Sequence, residues 1–152
     1  MATSSATDLF ETIAAEAAAE SPLWGDALRA DPDGVHVFGM LVQERFALGV
    51  ETIYEGYLLH YGGPRLFAPP DEDVAILLGD YLYAHGLVRI AATGELDAVA
   101  ALAELISTCA ALRAEGEPGD GDAWVACVRR LGGDPSGVAV SSSLAAHAER
   151  VG

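Results

Sequence analysis

The sequence predicts an all-α fold, a compact bundle of four to six helices in a single domain over residues 1–152, and three observations carry that reading. Hydrophobic residues make up 51% of the chain but aromatic residues only 7%, a balance that suits helices packed through small side chains. Apolar residues recur every three and four positions through long stretches, the period of an α-helix and not of a strand. Gly, Pro and Asp cluster between those stretches, where turns belong. A length of 152 residues is enough for one proper core.

In chain order, residues 1–7 are expected to fray. They lack a basic region and a long apolar stretch, so no signal peptide is expected and a cytoplasmic location is the default. Asp8 can cap a helix with Glu11 three residues on, the spacing of a capping box, and Leu9, Ile13 and several alanines share one side as far as Glu20. Ser21-Pro22 ends it, because proline disfavours helix at its predecessor. Leu23-Trp24 anchors a short helical turn reaching Arg29, and Asp31-Pro-Asp-Gly34 is a turn. From Val35 to His60, the residues Phe38, Val42, Phe46, Val50, Ile53 and Tyr57 form one stripe, predicting a helix of ~39 Å at ~1.5 Å per residue. Glu44, Glu51 and Glu55 are expected on its wetter face. Tyr61 to Pro70 is an irregular connector, with Arg65 an exposed turn residue.

Asp71-Glu-Asp73 suits a helix N-terminus, where unpaired N–H groups and the dipole favour carboxylates. Between Val74 and Ala92 the only ionisable groups are Asp80, His85 and Arg89, too few to cover one face. The segment therefore predicts a helix buried almost all round at the centre of the bundle; it is too interrupted for a membrane span. Gly79 costs about 1 kcal/mol in a helix interior, so close packing against a crossing helix is expected to compensate. Thr93-Gly94 ends the helix with a left-handed cap. Leu96–Glu115 places Val99, Leu102, Ile106 and Cys109 on one face, with Leu105 and Leu112 beside it. Residues 116–122 read as an acidic loop, with Asp122 capping a short helix through Trp124, Val128 and Leu131. Residues 132–140 form a loop before a terminal helix, Ser141–Arg150, and Val138–Val140 is the one stretch with some strand character.

The formal net charge of −15 argues against nucleic acid, whose affinity rests on Lys and Arg contacts to phosphates, and against an anionic membrane surface. Cys109 and Cys127 read as small buried hydrophobes, with a disulfide left open. The histidines are scattered, His36 and His147 near helix ends as solvated residues, with no H-x-x-x-H or C-x-x-C spacing for zinc. Glu117 to Asp122 lacks the ligand set of a calcium loop. No nucleophile elbow, Walker loop or dinucleotide glycine loop is present, so no catalytic residue, metal or cofactor is assigned. Asp80 stands out: a carboxylate in a buried helix must be hydrogen-bonded, paired or protonated. The expected role is a polar tether between helices, with His60 as the candidate partner. A small enzyme built on that pair is the lesser alternative. Tyr54, Tyr57, Tyr81 and Tyr83 are candidates for a partner interface.

The run Leu77-Leu-Gly-Asp-Tyr-Leu-Tyr-Ala84 resembles a segment of trans-polyprenyl diphosphate synthases. With its continuation to Gly116 it is similar to the non-catalytic first component of two-part heptaprenyl diphosphate synthases. Leu58-Leu59-His60 matches the point where catalytic members carry L-x-H before an aspartate-rich motif; here Tyr61-Gly-Gly-Pro-Arg65 follows instead. The chain has no D-D-x-x-D, and prenyl transfer needs paired carboxylate clusters to hold magnesium. Gly62-Gly63-Pro64-Arg65 weakly resembles a diphosphate-holding G-G-K-R element, which makes Arg65 a weak anion-binding candidate. Over roughly Val35 to Gly116 the resemblance implies part of the isoprenoid synthase fold. It implies a non-catalytic subunit that binds and supports a catalytic prenyl diphosphate synthase in making a quinone side chain, as a helix-mediated dimer with that partner or with itself. The alternative is a free-standing helical interaction protein, or a peripheral subunit of a larger assembly, with no tie to isoprenoids.

Overall fold

The computed structural model describes residues 5–151. They form seven helices: α1 (Ser5–Glu20), α2 (Pro22–Asp26), α3 (Glu44–Tyr61), α4 (Glu72–Ala91), α5 (Leu96–Glu115), α6 (Asp120–Arg130) and α7 (Gly137–Val151), with a 3-10 turn at Gly39–Leu41. The all-α class is as the sequence predicts. Among the described residues the one piece of β pairing is an isolated antiparallel bridge between Leu28 and Phe67. The Arg29 N–H donates to the Leu66 carbonyl at 2.8 Å and the Ala68 N–H to the Ala27 carbonyl at 2.7 Å, which ties the segment after α2 to the connector before α4.

The hub is α3, not the helix after it. Every residue from Gly49 to Leu59 is buried. One side of α3 joins Phe38, Leu102, Cys109, Trp124 and Val128 in the main core. At the other, Leu59 packs with Phe10, Ile13, Phe67, Leu78 and Leu82. Helix α4 is one-sided: it buries Leu78, Gly79, Leu82, Gly86 and Ile90 and leaves Ile76, Leu77 and Val88 43%, 54% and 64% exposed. The expectation of a central helix buried all round is therefore corrected. Scarcity of charge does not by itself imply burial, because a helix face can lack charge and still lie at the surface.

Facing glycines bring the α3 and α4 backbones close at two levels, with Ile53, Ile90 and His60 packed beside them. Gly49 lies against Gly86 and Gly56 against Gly79, so the helices run antiparallel. A Cβ on Gly56 would fall 2.9 Å from the Gly79 carbonyl oxygen, and one on Gly79 would fall 3.1 Å from that of Gly56. Close packing thus offsets the helix cost of Gly79, as the sequence predicts.

Several boundaries move for identifiable reasons. The helix expected from Val35 begins only at Glu44, because the Glu51 carboxylate accepts the N–H groups of Val37 at 3.0 Å and Gly39 at 2.7 Å. Those donors are withdrawn from any helical ladder, and the chain crosses α3 instead. Gly39 is required there, since a Cβ would meet Glu51 Cγ at 2.5 Å. Helix α1 starts at Ser5, which places Asp8 inside it and not at its N-cap; of the residues expected to fray, 5–7 are helical and 1–4 lie outside the described residues. Helix α2 stops at Asp26. Asp71 is the N-cap of α4, its side chain accepting the Val74 N–H at 2.9 Å. Gly94 adopts φ +83° in the turn after α4. Helix α6 begins at Asp120, which shortens the acidic loop and puts Asp122 within the helix. Helix α7 begins at Gly137 and takes in residues 138–140, which removes both the strand and the longer loop.

Candidate functional site

The strongest polar feature is a buried knot on the inner face of α3. Arg65, in the connector, is wholly inaccessible, as are Glu51 and Glu55. Arg65 Nε donates to Glu55 Oε1 at 3.0 Å, Nη1 donates to Glu51 Oε1 and to the Val35 carbonyl at 2.9 Å, and Nη2 donates to the Glu51 carbonyl at 3.2 Å. Glu55 also accepts the backbone N–H groups of Arg65 at 3.2 Å and Leu66 at 2.8 Å. The guanidinium lies 4.8 Å from the Phe10 ring centroid and 5.1 Å from that of Tyr54, contacts that favour a cation over an aromatic face. Burial opposes the charge, but the Glu51 and Glu55 carboxylates overcome that and hold Arg65 above its ordinary pKa. Two expectations are corrected here. Arg65 is not an exposed turn residue and cannot reach a solution anion, and Glu51 and Glu55 are the anchors of the interior, not its wet face.

A second network joins four helices. Asp120, at the start of α6, accepts from the Tyr57 hydroxyl, from Arg113 Nη2 at 2.8 Å and from His147 Nε2 at 3.1 Å. Arg113 Nε donates to the Tyr57 oxygen at 3.1 Å, and His147 Nδ1 lies 2.7 Å from the Tyr54 hydroxyl. Burial works against the Asp120 charge, yet the Tyr57 and Arg113 hydrogen bonds prevail and hold its carboxyl down at about 2. An ionised Asp120 accepts only, which fixes the imidazole proton on Nε2 and leaves Nδ1 to accept from Tyr54. Burial pushes His147 below its ordinary value, against the pull of Asp120, and burial also raises Tyr54 and Tyr57 above theirs. His147 was expected to be solvated but is only 4% exposed. His36 is likewise largely enclosed, edge-on to Phe10 with ring centroids 5.0 Å apart. Little in the order of residues signals this network, since its bonded members lie 7 to 93 positions apart across α3, α5, α6 and α7.

The other sequence candidates fall in different surroundings. Asp80 Oδ1 lies 3.1 Å from His60 Nε2, across the α3–α4 contact. The Asp80 side chain is nevertheless 64% exposed, so the pair bridges two helices at the surface and not in the core. Tyr54 and Tyr57 are buried and are removed as partner-interface residues. Tyr83 is half-buried and stacks on His60 at 5.1 Å. Tyr81 is half-buried at the flank of α4, stacked on His85 at 5.3 Å. His85 Nε2 and Arg89 Nη2 each contact Glu16 Oε1 at 2.9 Å, clamping α1 to α4.

Chemically, both clusters are closed: their donors and acceptors meet each other and leave no group aimed at open space. Among the described residues no set of three or more His, Cys, Asp or Glu side chains is placed to hold a metal ion. What remains available is the outward face of α4. Leu77, Ala84, Val88 and Ala91 follow one another down its exposed side, Ile76 flanks them, and Leu96, 76% exposed, stands just beyond. By length and composition α4 is also the one helix among the described residues that could cross a membrane. Comparison with known protein families, with curated proteins and with solved structures finds no match for this chain. Fold and surface together define a helical domain with a fixed polar interior and one unpartnered apolar helix face.

Proposed function

We propose that the protein is a non-catalytic helical subunit that works by holding another helical chain against the outside of α4. The observation that supports this reading is the set of exposed apolar residues Leu77, Ala84 and Val88 on the outer side of α4, with Asp80 the one charged residue among them, in a chain that carries a large excess of acidic residues. Exposed apolar residues clustered beside polar ones mark association sites on protein surfaces. The same helix carries the Leu77–Ala84 run that resembles polyprenyl synthases. That resemblance names the candidate partner, a catalytic prenyl diphosphate synthase supplying the magnesium-binding carboxylates this chain lacks.

The test is co-purification with tagged wild-type protein and with a Leu77→Lys/Val88→Lys variant at native abundance. A catalytic synthase recovered by the first and lost by the second supports the subunit reading. Alone, with magnesium, isopentenyl diphosphate and an allylic diphosphate, the protein should show no turnover. Magnesium-dependent chain elongation by the isolated chain would overturn the non-catalytic assignment.

A further inference from the structure

We propose that a cavity between α1 and the connector before α4 is a binding site for a free α-amino acid with a large apolar side chain. Its volume is about 350 Å³, toward the lower end of the roughly 300–1,000 Å³ of small-molecule pockets. Phe10 and Ala14 of α1, with Leu28 and Leu66, form its apolar surface, and Pro32 and Gly34 close it on the side of the turn. These walls are pinned in the free protein. Leu28 and Phe67 form the antiparallel bridge, and the Arg29 N–H donates to the Leu66 carbonyl at 2.8 Å. Phe10 is braced on its inner side by the wholly buried Arg65, whose guanidinium lies 4.8 Å from the ring centroid, and edge-on by His36 at 5.0 Å.

Two charges of opposite sign line this cavity, and they do not pair with each other. Glu11 and Arg29 are both exposed, which puts them at its mouth. Among the described residues the Glu11 carboxylate has no hydrogen-bond or ion-pair partner. Arg29 uses only Nε, donating to the Pro64 carbonyl at 3.3 Å, and keeps both Nη groups free. Asp33, near in sequence, pairs with Arg150 instead. Elsewhere on the surface such groups find each other: Glu16 meets His85 and Arg89, and Glu104 meets Arg130. An apolar floor with one free acceptor and one free cationic donor above it matches an ammonium and a carboxylate carried on one carbon, with a hydrocarbon side chain below. The guanidinium suits the carboxylate, which it can take through two parallel donors. A lone carboxylic acid would leave Glu11 unmatched and meet the field of a chain with formal net charge −15. A lone amine would leave Arg29 unmatched. The cavity takes no residue from α4, so the proposal goes beyond the association reading and does not depend on it.

The experiment is titration calorimetry of the full chain at neutral pH with L-phenylalanine, phenethylamine, hydrocinnamate and L-alanine. L-Phenylalanine is expected to bind, with the amine and the acid each about ten-fold or more weaker, the loss of one charge-assisted hydrogen bond. L-Alanine, with no side chain to fill the cavity, should be weaker than L-phenylalanine as well. Glu11→Gln should bring L-phenylalanine down to the level of hydrocinnamate, and Arg29→Gln should bring it down to that of phenethylamine. Both changes fall at exposed positions, and far-ultraviolet circular dichroism checks that each variant folds. Glu149→Gln, which removes a carboxylate from the adjoining cleft, should leave L-phenylalanine binding as it is. No binding of L-phenylalanine at millimolar concentration, or binding no tighter than that of either single-charge analogue, overturns the proposal. L-Alanine binding as well as L-phenylalanine also overturns it, since the cavity then contributes nothing, and so does an affinity indifferent to both charge variants. The Leu77→Lys/Val88→Lys variant should bind L-phenylalanine like the wild type, so loss of a co-purifying chain and loss of the amino acid are separate results.

Discussion

Replacing Arg65 with methionine tests the account of the interior most directly. The substitution keeps an unbranched side chain of similar length but removes the guanidinium and its donations to Glu55 Oε1, Glu51 Oε1, the Val35 carbonyl and the Glu51 carbonyl. Two carboxylates are then left in a site with no access to water. Breaking a buried pair from one side costs about 3–5 kcal/mol, a large share of the roughly 5–15 kcal/mol that holds a domain folded. At about 2–4 °C per kcal/mol for a chain of this size, the melting temperature should fall by roughly 6–20 °C. Urea unfolding followed by far-ultraviolet circular dichroism measures the loss. Arg130→Met is the control, because the Arg130–Glu104 pair is 47% and 70% exposed and such pairs contribute at most about 1 kcal/mol. Adding Glu51→Gln and Glu55→Gln to Arg65→Met should recover part of the loss, since the amides still accept the backbone N–H groups while the buried charge is gone. An Arg65→Met protein within about 1 kcal/mol of wild type would refute the reasoning.

Other perturbations follow from the same contacts. Gly56→Ala places a Cβ 2.9 Å from the Gly79 carbonyl oxygen; overpacking of about 1–3 kcal/mol should outweigh the helix gain of about 1 kcal/mol. Gly137→Ala, which meets open space, should be neutral or stabilising in the same denaturation assay. Asp120, held at about 2 in the fold against an ordinary 3.8, contributes stability that is present above the ordinary value and lost as pH falls toward about 2. Asp120→Asn should remove that acid step from a pH series of melts. His147 is shifted the opposite way for a base: its folded value lies below the ordinary 6.5, so the unfolded chain binds the proton more readily and stability declines as pH drops below that value. A His147→Gln variant whose acid profile matches wild type would contradict this. Burial pushes the Cys109 and Cys127 thiols up to about 12, so a thiol reagent at pH 8 should modify neither until urea unfolds the chain; rapid labelling of the native protein would count against their enclosure.

How much of this was legible in the sequence depended on whether a signal was local. The bounds of α5, the acidic start of α4 at Asp71 and the Gly94 turn are set by neighbours within a few residues and were readable; the tight packing at Gly79 was readable because a glycine inside a helix needs a close neighbour, although that neighbour, Gly56, is distant in sequence. The roles of α3 and α4 were not. Glu51 and Glu55 resemble a solvated face because carboxylates are rarely buried, and only Arg65, 14 and 10 positions downstream, makes their burial possible. No periodicity encodes that pairing. The same gap hid the 35–43 segment: Phe38 and Val42 fit the helical stripe, but the Glu51 side chain captures the backbone donors first. The Asp80–His60 contact was readable as a pair, because each sits where its helix crosses the other. Its exposure was not, because uncharged neighbours say nothing of which way a helix faces. Tyr54 and Tyr57 went the other way, into a network whose remaining members are supplied by α5, α6 and α7.

The glycine contact between α3 and α4 has a mechanical consequence. Where helices meet through side chains, a push on one can be absorbed by rotamer changes in the layer between them. At Gly49–Gly86 and Gly56–Gly79 that layer is thin: main-chain carbonyl oxygens approach the facing glycines, and Ile53, Ile90, His60 and Tyr83 fill the space beside them. The two helices should therefore shift as one strut. Helix α3 carries both glutamates of the Arg65 knot and both tyrosines of the Asp120 network. A load placed on the outside of α4 is thus passed to α3 and the ionised interior and, through His147, to α7.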